Sequence, residues 1–263
     1  MDQQEWVKIL DQLPIGSIRI YQSVSSTNRV LEDWARAGAP DLSLVAADEQ
    51  TAGMGRRGRQ WITRRGQALA FSLLLHPDPE QVNQDNLGWL GMAAALSVAE
   101  TLEEDYKLSA RIKWPNDVLL QNKKVCGVLA EAHWQGEDLE FVVIGIGVNV
   151  HRPGVPPRNQ LRFPATSLDQ QLKQRVERLP LMESIIHRFL QHRTRIGSQN
   201  LVEEIERNLA YLGQEIILTQ ENQELARGNL EGLTPQGGLR LQTPGGEELI
   251  FKIGEIQLGL VDR

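Results

Sequence analysis

The chain changes character near Leu212 and Gly213. Before this point strand-like runs alternate with helix-like runs, whereas the remainder reads as short β runs split by Gly and Pro turns. A module of about fifty residues is smaller than the ~60 at which lone folding becomes marginal, so we expect it to pack on the larger part. The sequence therefore predicts an α+β chain with two unequal domains, 1–212 and 213–263.

Hydrophobic periodicity assigns the elements of the larger domain. Helices are predicted within Asp2–Leu13 and across Asn28–Ala37, Asn86–Asp105, Leu181–Arg195 and Leu201–Tyr211. Strands are predicted across Ser17–Tyr21, Ser43–Ala47, Ala68–Leu75, Arg111–Lys113, Val118–Leu120, Val125–Trp134 and Phe141–Asn149, with a turn at Asn122-Lys123. Ser25, Ser26 and Thr27 offer N-cap side chains to the second helix, and the proline-rich stretch 152–164 is a surface loop.

Charge and cysteine content limit the classes of function. The formal net charge of -6 and the pI near 5.5 indicate no general affinity for nucleic acid or an anionic membrane. The single cysteine, Cys126, excludes an internal disulfide and fits a reducing compartment, of which the cytoplasm is the simplest. No apolar run approaches the ~18 residues of a membrane span, so we expect a soluble, unexported protein.

A glycine- and arginine-rich loop carries the strongest chemical signal. The stretch Asp48–Trp61 reads DEQTAGMGRRGRQW and places three glycines among three arginines: Gly53, Gly55 and Gly58 with Arg56, Arg57 and Arg59. Glycines let N–H groups approach a phosphate closely, and arginines add forked hydrogen bonds. A basic turn or an RNA-contacting loop is the alternative. No P-loop pattern and no dinucleotide-binding GxGxxG is present, so a P-loop kinase or a Rossmann dehydrogenase is not expected.

A second stretch is Lys113-Trp114-Pro115-Asn116-Asp117, which joins a cation, an aromatic ring, an amide and a carboxylate. Proline keeps the preceding residue extended, so we expect the segment to mark the end of a strand, with Asn116 and Asp117 at its mouth. Asp117 could there coordinate Mg²⁺ or hold a ribose hydroxyl. By residue type alone, a Pro-Asn-Asp turn with a solvated lysine is the simpler interpretation.

Two further stretches place glycine within a β pattern. Lys124 opens an apolar strand three residues before Gly127, where a lysine is either an edge gatekeeper or a cation aimed at a carboxylate or phosphate. Gly145 and Gly147 lie in the buried strand that ends at Asn149. They indicate either a bulge or a place where a flat ligand lies on the backbone.

In order, spacing and content, these stretches resemble the biotin protein ligases. The family pattern is a Ser-Thr-Asn after the first strand, a GRGRRGR loop followed by Trp, KWPND, a lysine before a small-residue-Gly strand, and a GxGxN strand. Here the corresponding segments are Ser26-Thr27-Asn28, Gly53–Trp61, Lys113–Asp117, Lys124–Gly127 and Gly145–Asn149. The resemblance implies a mixed β-sheet with flanking helices, related to class II tRNA synthetases and lipoate ligases, and a small C-terminal SH3-like β-barrel.

The resemblance also implies an activity: ATP-dependent conversion of biotin to biotinyl-5'-AMP, then transfer of biotin to a lysine of a biotin carboxyl carrier protein. It assigns biotin binding to Ser26, Thr27, Asn28, Gln50, Met54, Gly55, Arg56, Lys124, Gly127 and Gly145. It assigns ATP or the adenylate to Gly53, Arg56, Arg57, Arg59, Trp61, Lys113, Asn116, Asp117 and Asn149. The implied catalytic residues are Lys124, Arg56 and Asp117, with Asp117 as a Mg²⁺ ligand.

The implied chemistry explains the cations. A biotin carboxylate and the α-phosphate of ATP repel each other, and Arg56, Lys124 and Mg²⁺ would screen both. Met54 departs from the family, which usually has an arginine there, so this residue is included for its backbone alone. We expect the loop Thr51–Arg59 to be disordered before binding and to close over the adenylate.

Three other functions fit parts of the pattern. Some family members add a DNA-binding domain, but only 25 residues precede Ser26, so the monofunctional form is expected. A lipoate or octanoyl transferase could use Cys126 as nucleophile, although a thiol inside an apolar β run is more often inert. A vitamin-binding protein without turnover would not need Arg56, Asp117 and Lys124.

The implied partner is a carrier domain that presents its lysine on a tight hairpin, with the possibility of adding a strand to the ligase sheet. We expect no nucleic acid or membrane partner, and either a monomer or a homodimer. The five histidines show no metal-ligand spacing, so none is assigned to a metal.

Overall fold

A computed structural model describes residues 3–78, 81–161, 163–220, 223–252 and 257–260. Its α-helices are α1 (Gln3–Leu10), α2 (Thr27–Arg36), α3 (Gly88–Glu104), α4 (Leu168–Leu172), α5 (Arg178–Arg193) and α6 (Gln199–Arg207). The strands of the larger part are β1 (Ile18–Tyr21), β2 (Leu44–Ala47), β3 (Ala68–Leu75), β4 (Ala110–Lys113), β5 (Asp117–Leu120), β6 (Lys123–Gln135) and β7 (Asp138–Asn149). The C-terminal strands are β8 (Glu215–Gln220), β9 (Gln223–Leu233), β10 (Leu239–Gln242), β11 (Glu248–Phe251) and β12 (Gln257–Leu260).

The larger part is built on a mixed sheet in the order β1-β2-β3-β7-β6-β5-β4. Only β1 and β2 pair in parallel among these strands, and every other pair is antiparallel. The predicted strands are therefore confirmed, and so is the mixed sheet with flanking helices. The turn between β5 and β6 lies at Gln121 and Asn122, one residue earlier than expected, because both adopt the left-handed backbone that closes a tight hairpin.

The two faces of the sheet differ. Along β3, Phe71, Leu73 and Leu75 belong to the core shared with α3 and α5, because alternate side chains point to the same face. Leu74 faces α2 on the opposite side. On that side the large residues give way to small ones along β3, β6 and β7: Ala70, Ser72, Gly127, Gly145 and Gly147. A hollow therefore remains beside the N-terminus of α2.

Helix α6 ends earlier than the predicted helix Leu201–Tyr211. After Arg207 the backbone turns away to cover the open edge of β4. The N–H of Ile112 donates to the carbonyl of Asn208 at 2.7 Å, and the N–H of Ala210 donates to the carbonyl of Ile112 at 2.8 Å. Protecting this sheet edge outweighs one more helical turn.

The C-terminal strands form a separate antiparallel sheet in the order β11-β10-β9-β8-β12, which confirms the predicted β module. The turn between β9 and β10 docks this sheet on the larger part. Trp89 Nε1 donates to the carbonyl of Pro235 at 2.9 Å, and Trp114 Nε1 donates to that of Gly237 at 3.1 Å. The module packs on the larger part as expected.

None of the helices in the described ranges is long and apolar enough to cross a membrane.

Candidate active site

A cavity of about 820 Å³ opens beside the N-terminus of α2. Its walls come from the start of α2, the glycine- and arginine-rich loop, the β4–β5 turn, the strands β6 and β7, the stretch 156–165 and β8 of the C-terminal sheet. Almost all the predicted site residues line it: Ser26, Thr27, Asn28, Gln50, Met54, Gly55, Arg56, Arg57, Arg59, Trp61, Lys113, Asn116, Asp117, Lys124, Gly127, Gly145 and Asn149. The fold thus brings five separate stretches of sequence to one place.

One end of the cavity is neutral and polar. Gln50 Oε1 accepts hydrogen bonds from the N–H and the hydroxyl of Thr27 at 2.8 and 3.1 Å, and Gln50 Nε2 donates to Thr63 at 3.2 Å. Asn28 Nδ2 donates to Glu131 Oε2 at 2.6 Å. These bonds fix which way the two amides point, so this end presents donors and acceptors in a set arrangement.

Ser26 occupies the N-cap position of α2, as predicted, but its side chain makes no capping hydrogen bond. Its residue is buried at 2% exposure and lines the cavity. Ser26 therefore borders the cavity without capping the helix.

Glycines form the floor. Gly127 and Gly147 lie opposite each other on β6 and β7, and a Cβ at Gly147 would collide with the indole of Trp61. The Trp61 indole therefore lies against the backbone of the two strands, and its Nε1 is buried with no hydrogen-bond partner among the residues that the structure describes. A Cβ at Gly145 would likewise collide with the Asn28 amide. The strand pairing shows no bulge at these glycines, and the Trp61 indole and the Asn28 amide occupy the space beside them. That a flat ligand also lies here stays a prediction.

The glycine- and arginine-rich loop folds into a short hairpin. Gly55 N–H donates to the carbonyl of Arg59 at 2.7 Å, and Trp61 N–H donates to that of Gly53 at 2.9 Å. Gly53 is the exception among the predicted residues, because it lies outside the cavity wall. It is a glycine because a side chain there would collide with the Trp61 carbonyl and crowd Gln50. Its assignment to ATP stays a prediction, and what the structure shows of Gly53 is its packing within the loop.

The other end of the cavity is cationic. The pKa of Arg56 is lowered by burial foremost and by Arg57 and Arg59, while Asp117 opposes the shift. Arg56 Nη1 donates to Asn116 Oδ1 at 3.4 Å. Lys113 Nζ lies 3.9 Å from the centre of the Phe163 ring, and burial lowers the pKa of this lysine to about 8. Desolvated cations of this kind attract an anion strongly.

Lys124 Nζ forms an ion pair with Asp117 Oδ1 at 2.6 Å inside the cavity. Lys124 and Gly127 are three residues apart, an odd spacing that would place them on opposite faces of a regular strand. A register shift opposite Val118 and Leu119 leaves Val125 as an extra residue in β6, which returns Lys124 to the face of Gly127. The bulge therefore aims the lysine into the cavity.

The segment Lys113–Asp117 is a tight turn between two antiparallel strands and not simply the end of one strand. Lys113 ends β4, Asp117 begins β5, and the Trp114–Pro115 peptide bond is cis. Asn116 Nδ2 donates to the carbonyl of Val128 at 2.5 Å, which ties the turn to β6. Both interpretations of the sequence hold in part, since the turn itself presents Asn116 and Asp117 to the cavity.

Cys126 lies on the face of the sheet opposite the cavity, in the core with α3. It is fully buried, and burial raises the pKa of its thiol. A buried thiol of raised pKa is a poor nucleophile. Cys126 therefore cannot form an acyl intermediate with a ligand in this cavity.

Asp117 is the only carboxylate among the described residues of the cavity wall, and no cluster of three or more metal-ligating side chains occurs in the described part of the chain. One carboxylate suffices for Mg²⁺ when substrate phosphates supply the other oxygens. The donor set thus fits a Mg²⁺ that arrives with a nucleotide, and it does not fit a resident metal.

Part of the cavity wall was not predicted from the sequence. It comes from the proline-rich loop, the residue that follows it and β8: Pro156, Gln160, Leu161, Phe163, Ala165, Ile217 and Thr219. The alternation of β8 was a usable signal, because Ile216 and Leu218 are buried in the C-terminal sheet and leave Ile217 and Thr219 on the other face. Which surface that face meets depends on the docking of the two sheets.

Fold and cavity together define a ligand-binding protein of mixed α and β structure, whose cavity has a neutral polar end and a cationic end. Residues 20–149 match the biotin/lipoate A/B protein ligase family, and residues 211–259 match the biotin protein ligase C-terminal domain.

Individual relatives agree. The chain is 32% identical to the biotin--[acetyl-CoA-carboxylase] ligase of Paracoccus denitrificans, over 81% of this chain and 90% of that protein. It is 35% identical to the bifunctional ligase/repressor BirA of Bacillus spizizenii, over 65% of this chain and 52% of the relative, so it spans about half the length of that protein. The solved biotin protein ligase of Aquifex aeolicus, in complex with biotin and ATP, superposes with a TM-score of 0.79 at 31% identity, over 93% of this chain and 99% of that one. The chain belongs to the biotin protein ligase family.

Proposed function

We propose that the protein activates biotin with ATP to biotinyl-5'-AMP and transfers the biotin to a lysine of a biotin carboxyl carrier protein. One observation carries the proposal: a single cavity has a neutral polar end at Thr27 and Gln50, a glycine floor, and a cationic end at Arg56 and Lys124. Biotin has the same order of groups, a ureido ring followed by an apolar body and chain and then a carboxylate.

The ureido group has one carbonyl acceptor and two N–H donors. Gln50 Nε2 donates one of its two hydrogens to Thr63, so the second hydrogen can be donated to a ligand carbonyl. Ser26, Thr27 and Asn28 add hydroxyl and amide groups at the same end. The apolar body of biotin would lie next to Gly145 and Gly127, against the Asn28 amide and the Trp61 indole that cover these glycines, with the backbones of Met54 and Gly55 beside it.

Adenylation joins two anions, which need cations to approach. The biotin carboxylate oxygen attacks the α-phosphorus, a new P–O bond forms, and the bond to pyrophosphate breaks. Lys124 would hold the carboxylate and Arg56 the α-phosphate, so that positive charge already stands where negative charge develops. Arg57, Arg59, Trp61, Lys113, Asn116 and Asn149 would hold the remainder of ATP.

The Lys124–Asp117 pair makes Asp117 a positioning residue for the lysine, and it can also hold Mg²⁺ that accompanies the triphosphate. Bound Mg²⁺ supplies charge neutralisation of the phosphate oxygens.

In the second half-reaction the carrier lysine, as free amine, attacks the acyl carbon of the adenylate. A C–N bond forms, the acyl–phosphate C–O bond breaks, AMP leaves, and the attacking nitrogen releases one proton to solvent. No enzyme nucleophile is needed, consistent with the burial of Cys126 on the other face. Closure of Thr51–Arg59 over the adenylate would exclude water.

We further propose that the protein acts in the cytoplasm as a monomer or homodimer, and that its partner is the carrier domain of a biotin-dependent carboxylase. Residues 1–212 would form the catalytic domain and residues 213–263 the C-terminal domain.

The test is pyrophosphate release from ATP with biotin, lipoate or octanoate as the sole acid, followed by addition of an apo carrier domain. We expect release with biotin alone and a mass gain on one carrier lysine. Lys124→Met should lower the release rate by about 100-fold or more, since one oxyanion-stabilising contact is worth that much. Cys126→Ala should keep the wild-type rate. Release with lipoate alone would move the protein to the lipoate ligases, and release with none of the acids would reject the enzyme.

A further inference from the structure

Ser72 is a buried hydroxyl in a strand that is otherwise apolar. Strand β3 reads ALAFSLLL, and each of its residues is buried, with Ser72 at 0% exposure. A buried hydroxyl destabilises the fold unless it is hydrogen-bonded. Ser72 is not in the cavity wall, and the family pattern of the sequence does not include it.

Its partners are two residues of the polar end of the cavity. Ser72 Oγ lies 2.6 Å from Asn28 Oδ1 and 2.8 Å from Thr27 Oγ1. Both contacts cross from the sheet to the first turn of α2, the turn that borders the proposed ureido site.

The contacts set the direction of a chain of hydrogen bonds. Asn28 offers its amide nitrogen to Glu131, so its oxygen faces the Ser72 hydroxyl and accepts the single hydrogen of Ser72. Ser72 Oγ then has only lone pairs left for Thr27, so the hydroxyl hydrogen of Thr27 is shared between Ser72 Oγ and Gln50 Oε1. A reversed Asn28 amide would place its oxygen against the Glu131 carboxylate. Ser72 thus lies at the junction that fixes Thr27, Gln50 and Asn28 together.

The neighbouring strand β7 has no side chain opposite Ser72 that could hold the Asn28 amide. Gly145 lies directly across from Ser72, and a Cβ there would collide with the Asn28 amide. The amide is therefore held by Ser72 on one strand and accommodated by a missing side chain on the next.

We propose that Ser72 is a positioning residue for biotin recognition, acting through Asn28 and Thr27 without touching the ligand. The inference rests on the proposed function, because it assumes that the polar end receives the ureido ring. Loss of the hydroxyl should loosen the polar end alone and leave the cationic end intact.

The experiment is calorimetric titration of the full chain with biotin and, separately, with ATP. Ser72→Ala should raise the Kd for biotin about 10-fold, the effect of one buried hydrogen bond with its partner left unsatisfied. The Kd for ATP should stay within about twofold, because neither hydrogen-bond partner of Ser72 is assigned to ATP. Ser72→Cys brings a larger atom and a weak donor into the same buried position, and it should lose at least as much biotin affinity as Ser72→Ala.

Ser97→Ala is the matched control. Ser97 is equally buried at 0% exposure, and its hydroxyl donates to the carbonyl of Ala93 in α3, away from the cavity. This variant should keep wild-type affinity for biotin even where its melting temperature falls.

Unchanged biotin affinity in Ser72→Ala, or equal loss of biotin and ATP affinity, would overturn the positioning role while leaving the proposed function in place. If the unmodified protein binds ATP but no biotin, the proposed function falls and the role of Ser72 falls with it.

Discussion

The surroundings of Lys113 in the cavity control the protonation of its side chain. Its ammonium group lies against the Phe163 ring, and burial lowers its pKa to about 8 although Asp117 acts in the other direction. The charged form therefore carries a desolvation penalty in the folded state that it does not carry in the unfolded chain.

This penalty predicts a pH dependence of stability. Below pH 8 Lys113 is protonated in both states, and the penalty is fully present. Between pH 8 and pH 10.5 the folded state has lost the proton that the unfolded state still binds, so the free energy of unfolding contributed by Lys113 rises with pH. Urea denaturation of the wild type and of Lys113→Met should show a difference that grows in favour of the wild type across this window.

Lys107→Met, which removes an exposed lysine, is the control for a general change in charge. Its stability difference from the wild type should be flat over the same window. A flat difference for Lys113→Met as well would show that Lys113 keeps its charge in the folded protein.

Strands β6 and β7 set the depth of the cavity because the glycines on its floor have no side chains. Gly147→Ala would drive a methyl group into the Trp61 indole. We expect a loss of about 1–3 kcal/mol in the free energy of unfolding, the usual effect of overpacking. In a Trp61→Ala background the same substitution should have a smaller effect, and the two urea series form a double-mutant cycle.

Gly91→Ala is the matched glycine control on α3. Its new methyl group would lie 3.7 Å from Ala130, an ordinary contact, and alanine favours helix by about 1 kcal/mol over glycine. This variant should be as stable as the wild type or more so. Equal losses for Gly147→Ala with and without Trp61 would show that the indole does not rest on the floor.

The positions of single strands could be predicted from the sequence, whereas features that arise from contacts between elements could not. The apolar run of β3 predicted both ends of the strand and its burial. That of β7 predicted the end at Asn149, although the strand begins at Asp138, three residues before the predicted Phe141. The direction of the Lys124 side chain could not be predicted from the sequence, because it depends on a bulge that arises from the pairing of β6 with β5. Motif residues were predictable through the resemblance, whereas Ser72 required the contact between β3 and α2.

At the scale of the molecule, two tryptophans join the sheets. Trp89 and Trp114 donate to carbonyls of the β9–β10 turn, where Gly237 has a φ of +80° and packs against Met92 and Trp89. Trp89→Phe removes one donor and should lower the free energy of unfolding by about 1–3 kcal/mol. Hydrogen exchange should quicken in β8, β9 and β10 and stay at wild-type rates in β3 and β7.

Trp34→Phe is the control, since Trp34 lies on α2 beside Arg19 and away from this junction. It should leave exchange in the C-terminal strands unchanged. Uniform acceleration across both sheets in Trp89→Phe would contradict a local docking role and indicate a single cooperative unit.

Ile217 and Thr219 of β8 share the cavity wall with Ser26, which stands near the opposite end of the sequence. A ribosome synthesises the chain from its N-terminus, so Ser26 emerges long before Ile217 and Thr219. Contacts between residues so far apart in sequence form slowly in folding. The cavity wall is therefore complete only after the C-terminal sheet has been synthesised and has docked on the larger part.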